Sequence, residues 1–259
     1  MNEQQVTIIA GAARGIGLGI AKAMAERGDQ LVLADVLFAR DSARAEALAQ
    51  LSGAPFAKAT DITDSRQVEA LIAETSERFG RIDCLVNAAG MNRPGLFYEI
   101  SEADWDATIN LNMKGAFLLS RAVAGPMIAR HFGRIVHIGS TAAHTAALGL
   151  APYVASKHGL VGLVKGMACD LARHGITVNA VCPGNTDTEM LAAVIEARAR
   201  LQGRAPDEVR ADIVAKTPVG RLARPDDIAA AVLFMTSRAA ECVTGQALTV
   251  DGGRMLNLM

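Results

Sequence analysis

Short, largely apolar runs of four to seven residues alternate along the chain with longer segments of helical character. The runs have the composition of strands that are buried on both faces of a sheet. They lie at residues 6–10, 30–35, 55–59, 83–87, 134–139, 176–182 and 247–250. The helices are predicted at residues 15–27, 42–51, 64–79, 101–131, 152–174 and 225–237, with two more inside 187–216.

The ends of these segments carry the expected residues. Ser101 and Asp104 have the spacing of a capping box, Pro152 begins a helix, and Gly203 separates the two helices of 187–216. No repeat or linker interrupts the alternation. We therefore predict a single α/β domain over residues 1–259: a Rossmann-type, doubly wound parallel β-sheet with helices on both faces.

Composition excludes several function classes. The formal net charge is −1, which gives no electrostatic case for nucleic acid or an anionic membrane. No apolar stretch reaches 18 residues and no secretory signal pattern begins the chain, so we expect a cytoplasmic protein without a membrane partner. The four cysteines are far apart and indicate reduced thiols, and the histidines lack metal-ligand spacing, so no metal site is predicted.

The first strand ends in a glycine-rich turn that leads directly into a helix. Its pattern is G-x-x-x-G-x-G, formed by Gly11, Gly15 and Gly17. Gly11 permits a tight turn, Gly15 lets backbone approach a pyrophosphate, and Gly17 lets the helix pack closely on the strand. The helix N-terminus then offers free N–H groups to phosphates. The turn predicts a dinucleotide site.

Asp35 ends the second strand, eighteen residues after Gly17. A carboxylate at this spacing holds the adenosine ribose hydroxyls and repels the extra phosphate of NADP. Arg14, a basic residue in the turn, favours NADP instead. We predict NAD, with NADP as the less favoured cofactor.

A tyrosine and a lysine share one face of a predicted helix. Tyr153 and Lys157 are four residues apart, and Ser140 ends a strand thirteen residues upstream of Tyr153. A free tyrosine has a pKa of about 10, and an acid/base group works best near ambient pH. A nearby ammonium and an oxidised nicotinamide ring are both expected to lower the pKa of Tyr153.

Together these motifs resemble the short-chain dehydrogenase/reductase family over essentially the whole chain, with Ala10 as a departure where the family usually has threonine. The resemblance implies a catalytic tetrad of Asn112, Ser140, Tyr153 and Lys157, in which Asn112 holds a water and Lys157 also holds the nicotinamide ribose. Asp61 and Ile62 are implied to flank the adenine. The implied cofactor-binding residues are Gly11, Arg14, Gly15, Ile16, Gly17, Asp35, Asp61, Ile62, Asn87, Ala88, Gly90, Tyr153, Lys157, Pro183, Gly184, Thr186 and Thr188.

Substrate specificity is expected in the loops 91–97 and 142–150 and in a lid at 188–216. The predicted substrate contacts are Ser140, Ala142, His144, Asn185 and Met190. The resemblance also implies a homotetramer, built through the helices at 101–131 and 152–174 and through the last strand with the apolar tail 252–259.

Three functions remain open from the sequence. The leading one is an NAD-dependent dehydrogenase of a small polyol, sugar or hydroxy acid, which Asp35 and the long 187–216 segment favour. A second is an NADPH-dependent 3-oxoacyl-thioester reductase acting on a carrier protein, although such reductases tend to carry arginines where this chain has His131 and His174. A third is a cofactor-binding regulator, which would not need the complete tetrad.

Overall fold

Seven strands form one sheet in the computed structural model, which describes residues 4–257. They are β1 (Val6–Ala10), β2 (Gln30–Asp35), β3 (Phe56–Ala59), β4 (Cys84–Asn87), β5 (Gly133–Ile138), β6 (Ile176–Pro183) and β7 (Ala247–Val250). The order across the sheet is β3-β2-β1-β4-β5-β6-β7, and neighbouring strands are parallel. Strand order reverses between β1 and β4, which is where an open α/β sheet offers a ligand crevice at its carboxyl edge.

Helices cover both faces of the sheet. They are α1 (Gly15–Arg27), α2 (Asp41–Leu48), α3 (Ser65–Phe79), α4 (Glu102–Ile109), α5 (Gly115–Arg130), α6 (Ala151–Leu171), α7 (Glu189–Gln202), α8 (Pro206–Ala215) and α9 (Pro225–Met235). One apolar core joins the sheet to α3, α5 and α6, and a second joins it to α1, α2 and α9. The predicted doubly wound parallel sheet is confirmed. No helix within residues 4–257 is long and apolar enough to cross a membrane.

The prediction of one continuous α-helix at 101–131 is wrong, because a π-helical turn divides the segment. It begins as expected, with the Ser101 hydroxyl accepting the Asp104 backbone N–H at 3.1 Å. It then passes through a π-helical turn at Asn110–Lys114 between α4 and α5. Apolar spacing does not distinguish one wide turn inside a helix from regular α-helix, and such turns are frequent at functional sites. The π turn carries Asn112.

The helices α7 and α8 pack on each other around a small core of their own. Leu191, Ile195 and Ala199 of α7 contact Val209 and Ile213 of α8, together with Leu222 from the segment that follows. The predicted break at Gly203 is confirmed, because that residue ends α7 with φ +62°. Leu201, in the last turn of α7, is 59% exposed and does not belong to this small core.

The predicted apolar tail 252–259 is only partly described. Met255 lines the main cavity of the protein and Leu256 is exposed, while residues 258 and 259 lie outside the described part of the chain.

Candidate active site

The glycine turn between β1 and α1 is packed too tightly for any side chain at two of its positions. A Cβ on Gly17 would lie 1.9 Å from the Gly11 carbonyl oxygen, and a Cβ on Gly11 would lie 2.5 Å from the Ala89 backbone nitrogen. Arg14, the residue before α1, makes no side-chain cap, and the first turn of α1 carries no acidic residue. The N–H groups of that turn are therefore available to an anion, which fits the diphosphate of a dinucleotide cofactor.

Asp35 holds the glycine turn from the end of β2. Its Oδ2 accepts the Ala13 N–H at 3.0 Å and its Oδ1 accepts the Leu37 N–H at 2.9 Å. The carboxylate therefore stands beside the turn, and its contact with the adenosine ribose stays a prediction. Arg14 instead forms an ion pair with Glu189 at the start of α7. Both side chains are largely exposed, so this ion pair contributes little stability.

The pair predicted to flank the adenine has structural contacts of its own. The Asp61 Oδ1 atom accepts the Thr63 N–H at 2.8 Å and its hydroxyl at 2.7 Å. Ile62 is buried, and a Cβ on Gly115 would lie 2.7 Å from its Cδ1 atom. The Ile62 side chain therefore faces α5, and the adenine contact of this pair stays a prediction.

Ser140, Tyr153 and Lys157 line one cavity of about 270 Å³ at the carboxyl edge of the sheet. Ser140 lies just beyond β5, after Gly139, while Tyr153 and Lys157 lie one turn apart on α6. The Lys157 Nζ donates to the Ile138 carbonyl oxygen at 2.8 Å and lies 5.6 Å from the centroid of the Tyr153 ring. The three side chains meet although 17 positions separate the first from the last.

Burial decides the pKa of the two titratable groups. It raises the pKa of Tyr153, although a hydrogen bond with Ser140 opposes this, and it lowers the pKa of Lys157 to about 8. The expected depression of the Tyr153 pKa is therefore not met among the protein groups. The reason is that burial outweighs the Ser140 hydrogen bond, while the Lys157 ammonium donates to the Ile138 carbonyl.

Asn112 is buried behind these groups and uses its amide to fix the backbone. Its Oδ1 accepts the Met91 N–H at 2.9 Å, while its Nδ2 donates to the Met91 carbonyl at 3.0 Å and to the Ser156 hydroxyl at 2.9 Å. A Cβ on Gly90 would lie 3.3 Å from Asn112 Oδ1 and 3.6 Å from Lys157 Nζ. Asn112 and Lys157 thus adjoin the same glycine, and the water assigned to Asn112 stays a prediction.

A buried histidine that the sequence did not single out supports the Asn87 turn. The Asn87 Nδ2 lies 3.4 Å from His137 Nδ1, and the Ser120 hydroxyl lies 3.0 Å from His137 Nε2. Asn87 Oδ1 accepts the Ala89 N–H, so Nδ2 is the donor to His137 and the imidazole proton lies on Nε2. Burial, and then the charge of Lys157, lower the pKa of His137 to about 3, so the ring is neutral.

Most of the predicted residues near the nicotinamide and the substrate line the same cavity. They are Ile16, Ala88, Gly90, Ser140, Ala142, Tyr153, Lys157, Pro183, Gly184, Asn185, Thr186, Thr188 and Met190. His144 is exposed and does not line it, because the short 3₁₀ turn Thr141–Ala143 carries its side chain outward. The substrate role of His144 has no support from this arrangement.

The cavity wall also includes residues that the sequence did not single out as substrate or cofactor contacts. Among them are Asn92, Thr145, Val194, Arg198, Arg254 and Met255. Asn92 and Thr145 fall in the two loops expected to set specificity. Asn92 Oδ1 is buried without a partner among the described residues. Arg254 follows the Gly252-Gly253 pair after β7, and no sequence motif marks it.

The family model described as "Enoyl-(Acyl carrier protein) reductase" matches residues 11–254. Among curated proteins, the chain is 38% identical to the (2S)-[(R)-hydroxy(phenyl)methyl]succinyl-CoA dehydrogenase subunit BbsD of Thauera aromatica over 98% of both chains. It is 36% identical to galactitol 2-dehydrogenase of Agrobacterium fabrum, again over 98% of both. It is 35% identical to the 3-oxoacyl-[acyl-carrier-protein] reductase FabG of Vibrio cholerae over 97% of both.

A solved structure of a variant actinorhodin polyketide ketoreductase with NADPH superposes with a TM-score of 0.91, at 35% identity over 97% of both chains. The superposition shows that the solved ketoreductase has the same fold as this chain, and all four proteins are dehydrogenases or reductases by name. The chain therefore belongs to the short-chain dehydrogenase/reductase family, NAD(P)-dependent oxidoreductases that act on CH–OH and ketone groups.

Proposed function

We propose that this protein is an NAD-dependent dehydrogenase that oxidises the secondary alcohol of a small polyol, sugar or hydroxy acid. The observation that carries the proposal is the convergence of Ser140, Tyr153 and Lys157 in one cavity that Ile16 of the glycine turn also lines. A purely cofactor-binding regulator would not need a proton-transfer group in that position.

The nicotinamide ring supplies the hydride acceptor when the cofactor is bound. In alcohol oxidation the Tyr153 side chain acts as the phenolate, which takes the proton of the substrate hydroxyl and becomes the phenol, while Ser140 donates a hydrogen bond that orients the same oxygen. Lys157 holds positive charge beside the tyrosine ring. Asn112 and His137 position the backbone around them, through Met91 and Asn87 respectively.

The preference for NAD rests on Asp35. Its carboxylate accepts two backbone N–H groups at the place where the adenosine ribose belongs, and it would lie against the extra phosphate of NADP. Arg14, which could oppose this preference, is paired with Glu189. The actinorhodin ketoreductase was solved with NADPH, so the choice of NAD depends on this chain's own Asp35.

The helices α7 and α8 act as the substrate lid in this proposal. Met190 and Val194 line the cavity, while the small core of α7 and α8 is separate from both cores of the sheet. A helical pair with its own core can move as a unit over a bound substrate and exclude water.

We also propose that the protein is a homotetramer. Trp105 on α4 and Phe117 on α5 are 41% and 43% exposed, which is consistent with a helical face that a second copy covers. A monomer by light scattering at micromolar concentration would contradict this.

A second candidate function is the NADPH-dependent reduction of a 3-oxoacyl thioester. The similarity to FabG and to the polyketide ketoreductase favours it. The two candidates differ in cofactor and direction, so one assay separates them.

The test is a spectrophotometric screen of NAD reduction over polyols, sugars and hydroxy acids, with NADPH oxidation by a 3-oxoacyl thioester as the competing arm. Tyr153→Phe keeps the ring and removes the proton-transfer group. We expect it to retain cofactor binding and to lose about 10²- to 10⁴-fold in turnover. Turnover within about threefold of the wild type would remove Tyr153 from the proposed role.

A further inference from the structure

The substrate cavity has two arginines in its wall, on the side formed by α7 and by the segment after β7. Arg198 lies on α7 and Arg254 follows β7, and both are half-buried. They line the same cavity as Ser140 and Tyr153. A polyol or sugar would need hydrogen-bond donors and acceptors here, whereas two guanidinium groups supply donors only.

Among the described residues no carboxylate forms an ion pair with either guanidinium, although the charge of Asp251 acts on Arg254. Within residues 4–257, the Arg198 guanidinium makes no hydrogen bond or ion pair. Arg254 donates only to the Ile213 carbonyl oxygen, at 3.3 Å. Burial, and then the charge of Arg198, lower the pKa of Arg254, while the charge of Asp251 opposes them. Two like charges that are partly removed from water are costly unless an anion joins them.

The nearby carboxylates are committed elsewhere. Asp251 accepts the backbone N–H groups of Gly253 and Met255 at 2.9 and 2.8 Å, which shapes the turn that carries Arg254. In the lid, ion pairs join Asp187 to Arg210, Asp212 to Arg204 and Glu189 to Arg14. A second cavity of about 110 Å³ also borders Arg198 and Arg254, and the other charged residues in its wall are Arg204, Asp212 and Lys216. Basic side chains therefore outnumber carboxylates around the two arginines.

We propose that Arg198 and Arg254 form an oxyanion-binding subsite of the substrate cavity, and that the substrate is an anion. This rests on the proposed function and narrows it from polyols, sugars and hydroxy acids to a hydroxy acid, whose carboxylate binds the two guanidinium groups, or to a phosphate-bearing ester. Guanidinium groups bind carboxylate and phosphate through paired, charge-assisted hydrogen bonds. The cavity volume of about 270 Å³ is suited to a small molecule.

The test compares acids with their neutral esters. The probes are the hydroxy acids from 3-hydroxybutyrate to 6-hydroxyheptanoate, each beside its methyl ester, together with 3-hydroxybutyryl-CoA and the neutral polyol galactitol. We expect at least one anion to exceed its neutral counterpart by about tenfold or more in kcat/KM. A preferred acid identifies a carboxylate, and a preferred CoA ester identifies a phosphate.

Variants then assign the effect to the subsite. Arg198→Gln should raise the KM of the preferred anion by about tenfold or more with little change for the neutral probes, and Arg198→Lys should lie between. Arg200→Gln removes the same charge from an exposed position of α7 that lines neither cavity, and it should behave as wild type. Because Arg254 also contacts α8, Arg254→Gln is interpreted only if its thermal unfolding matches the wild type.

A readout that does not need turnover completes the test. Binding of acetoacetate and of methyl acetoacetate to the protein–NADH complex is followed by NADH fluorescence, and only acetoacetate affinity should depend on Arg198. The subsite is overturned if galactitol or the esters are oxidised as efficiently as the acids and if Arg198→Gln and Arg200→Gln have the same kinetics. That result would leave the proposed dehydrogenase activity intact. If neither these probes nor the wider screen of polyols and sugars reduces NAD, the proposed function itself is overturned.

Discussion

The neutral, buried His137 predicts a loss of stability in acid. Its pKa is lowered from 6.5 to about 3 in the folded protein, because burial and the Lys157 charge disfavour the imidazolium. In the unfolded chain the ring titrates at its ordinary pKa. Protonation below that value therefore favours the unfolded state, so the His137 contribution is complete above about pH 6.5 and declines as the pH falls toward about 3.

The magnitude follows from the two pKa values. At about pH 5 the protonated form of the ring in the unfolded chain is roughly 30 times more populated than the neutral form, while the ring in the folded protein stays neutral. One pKa unit corresponds to about 1.4 kcal/mol, so the free energy of unfolding should fall by about 2 kcal/mol between about pH 8 and about pH 5. This figure changes little for any folded pKa below about 4, because the unfolded state alone titrates in that window.

Urea denaturation at the two pH values measures the effect. His137→Gln keeps hydrogen-bonding groups near Asn87 and Ser120 and removes the titration, so its stability should depend less on pH by about 2 kcal/mol. The exposed His144 provides the matched control, since His144→Gln should keep the wild-type dependence. The reasoning is refuted if wild type and His137→Gln lose the same stability between the two pH values.

Three further predictions concern the cofactor site and the lid. Asp35→Ala should weaken NAD and improve NADP in kcat/KM, and a wild-type enzyme that already prefers NADP would contradict the role of Asp35. Gly17→Ala should weaken NADH binding by at least about tenfold in a fluorescence titration, because its Cβ would lie 1.9 Å from the Gly11 carbonyl oxygen. In the control Gly162→Ala the added Cβ meets open space, so NADH affinity should equal that of the wild type. Limited proteolysis should cut near residues 202–205, and the cleavage should slow when NAD and substrate are added. Met190→Ala should change substrate preference while NAD affinity stays the same. If ligands do not change the cleavage rate, α7 and α8 are a scaffold and not a lid.

Local patterns were sufficient for the sheet, its flanking helices and the cofactor turn. Buried parallel strands need near-continuous apolar runs, and a phosphate-binding turn before a helix needs glycines at fixed spacing. Both patterns involve residues that are close together in the sequence. The pairing of Tyr153 with Lys157 can be predicted for the same reason, because one helical turn places both residues on one face of the helix.

Contacts between distant segments required the folded chain. The π turn at Asn112 leaves the apolar spacing of its helix unchanged, and His137 is an isolated polar residue in a strand whose partners lie 17 and 50 positions away. Arg198 and Arg254 line the cavity of Ser140 and Tyr153 because α7 and the segment after β7 border the same edge of the sheet. Periodicity and motif spacing report interactions within one element, whereas burial, charge and pKa depend on what other elements bring to the same place. That is why the sequence predicted the candidate proton-transfer residues, whereas the two arginines in the wall of their cavity were found only in the structure.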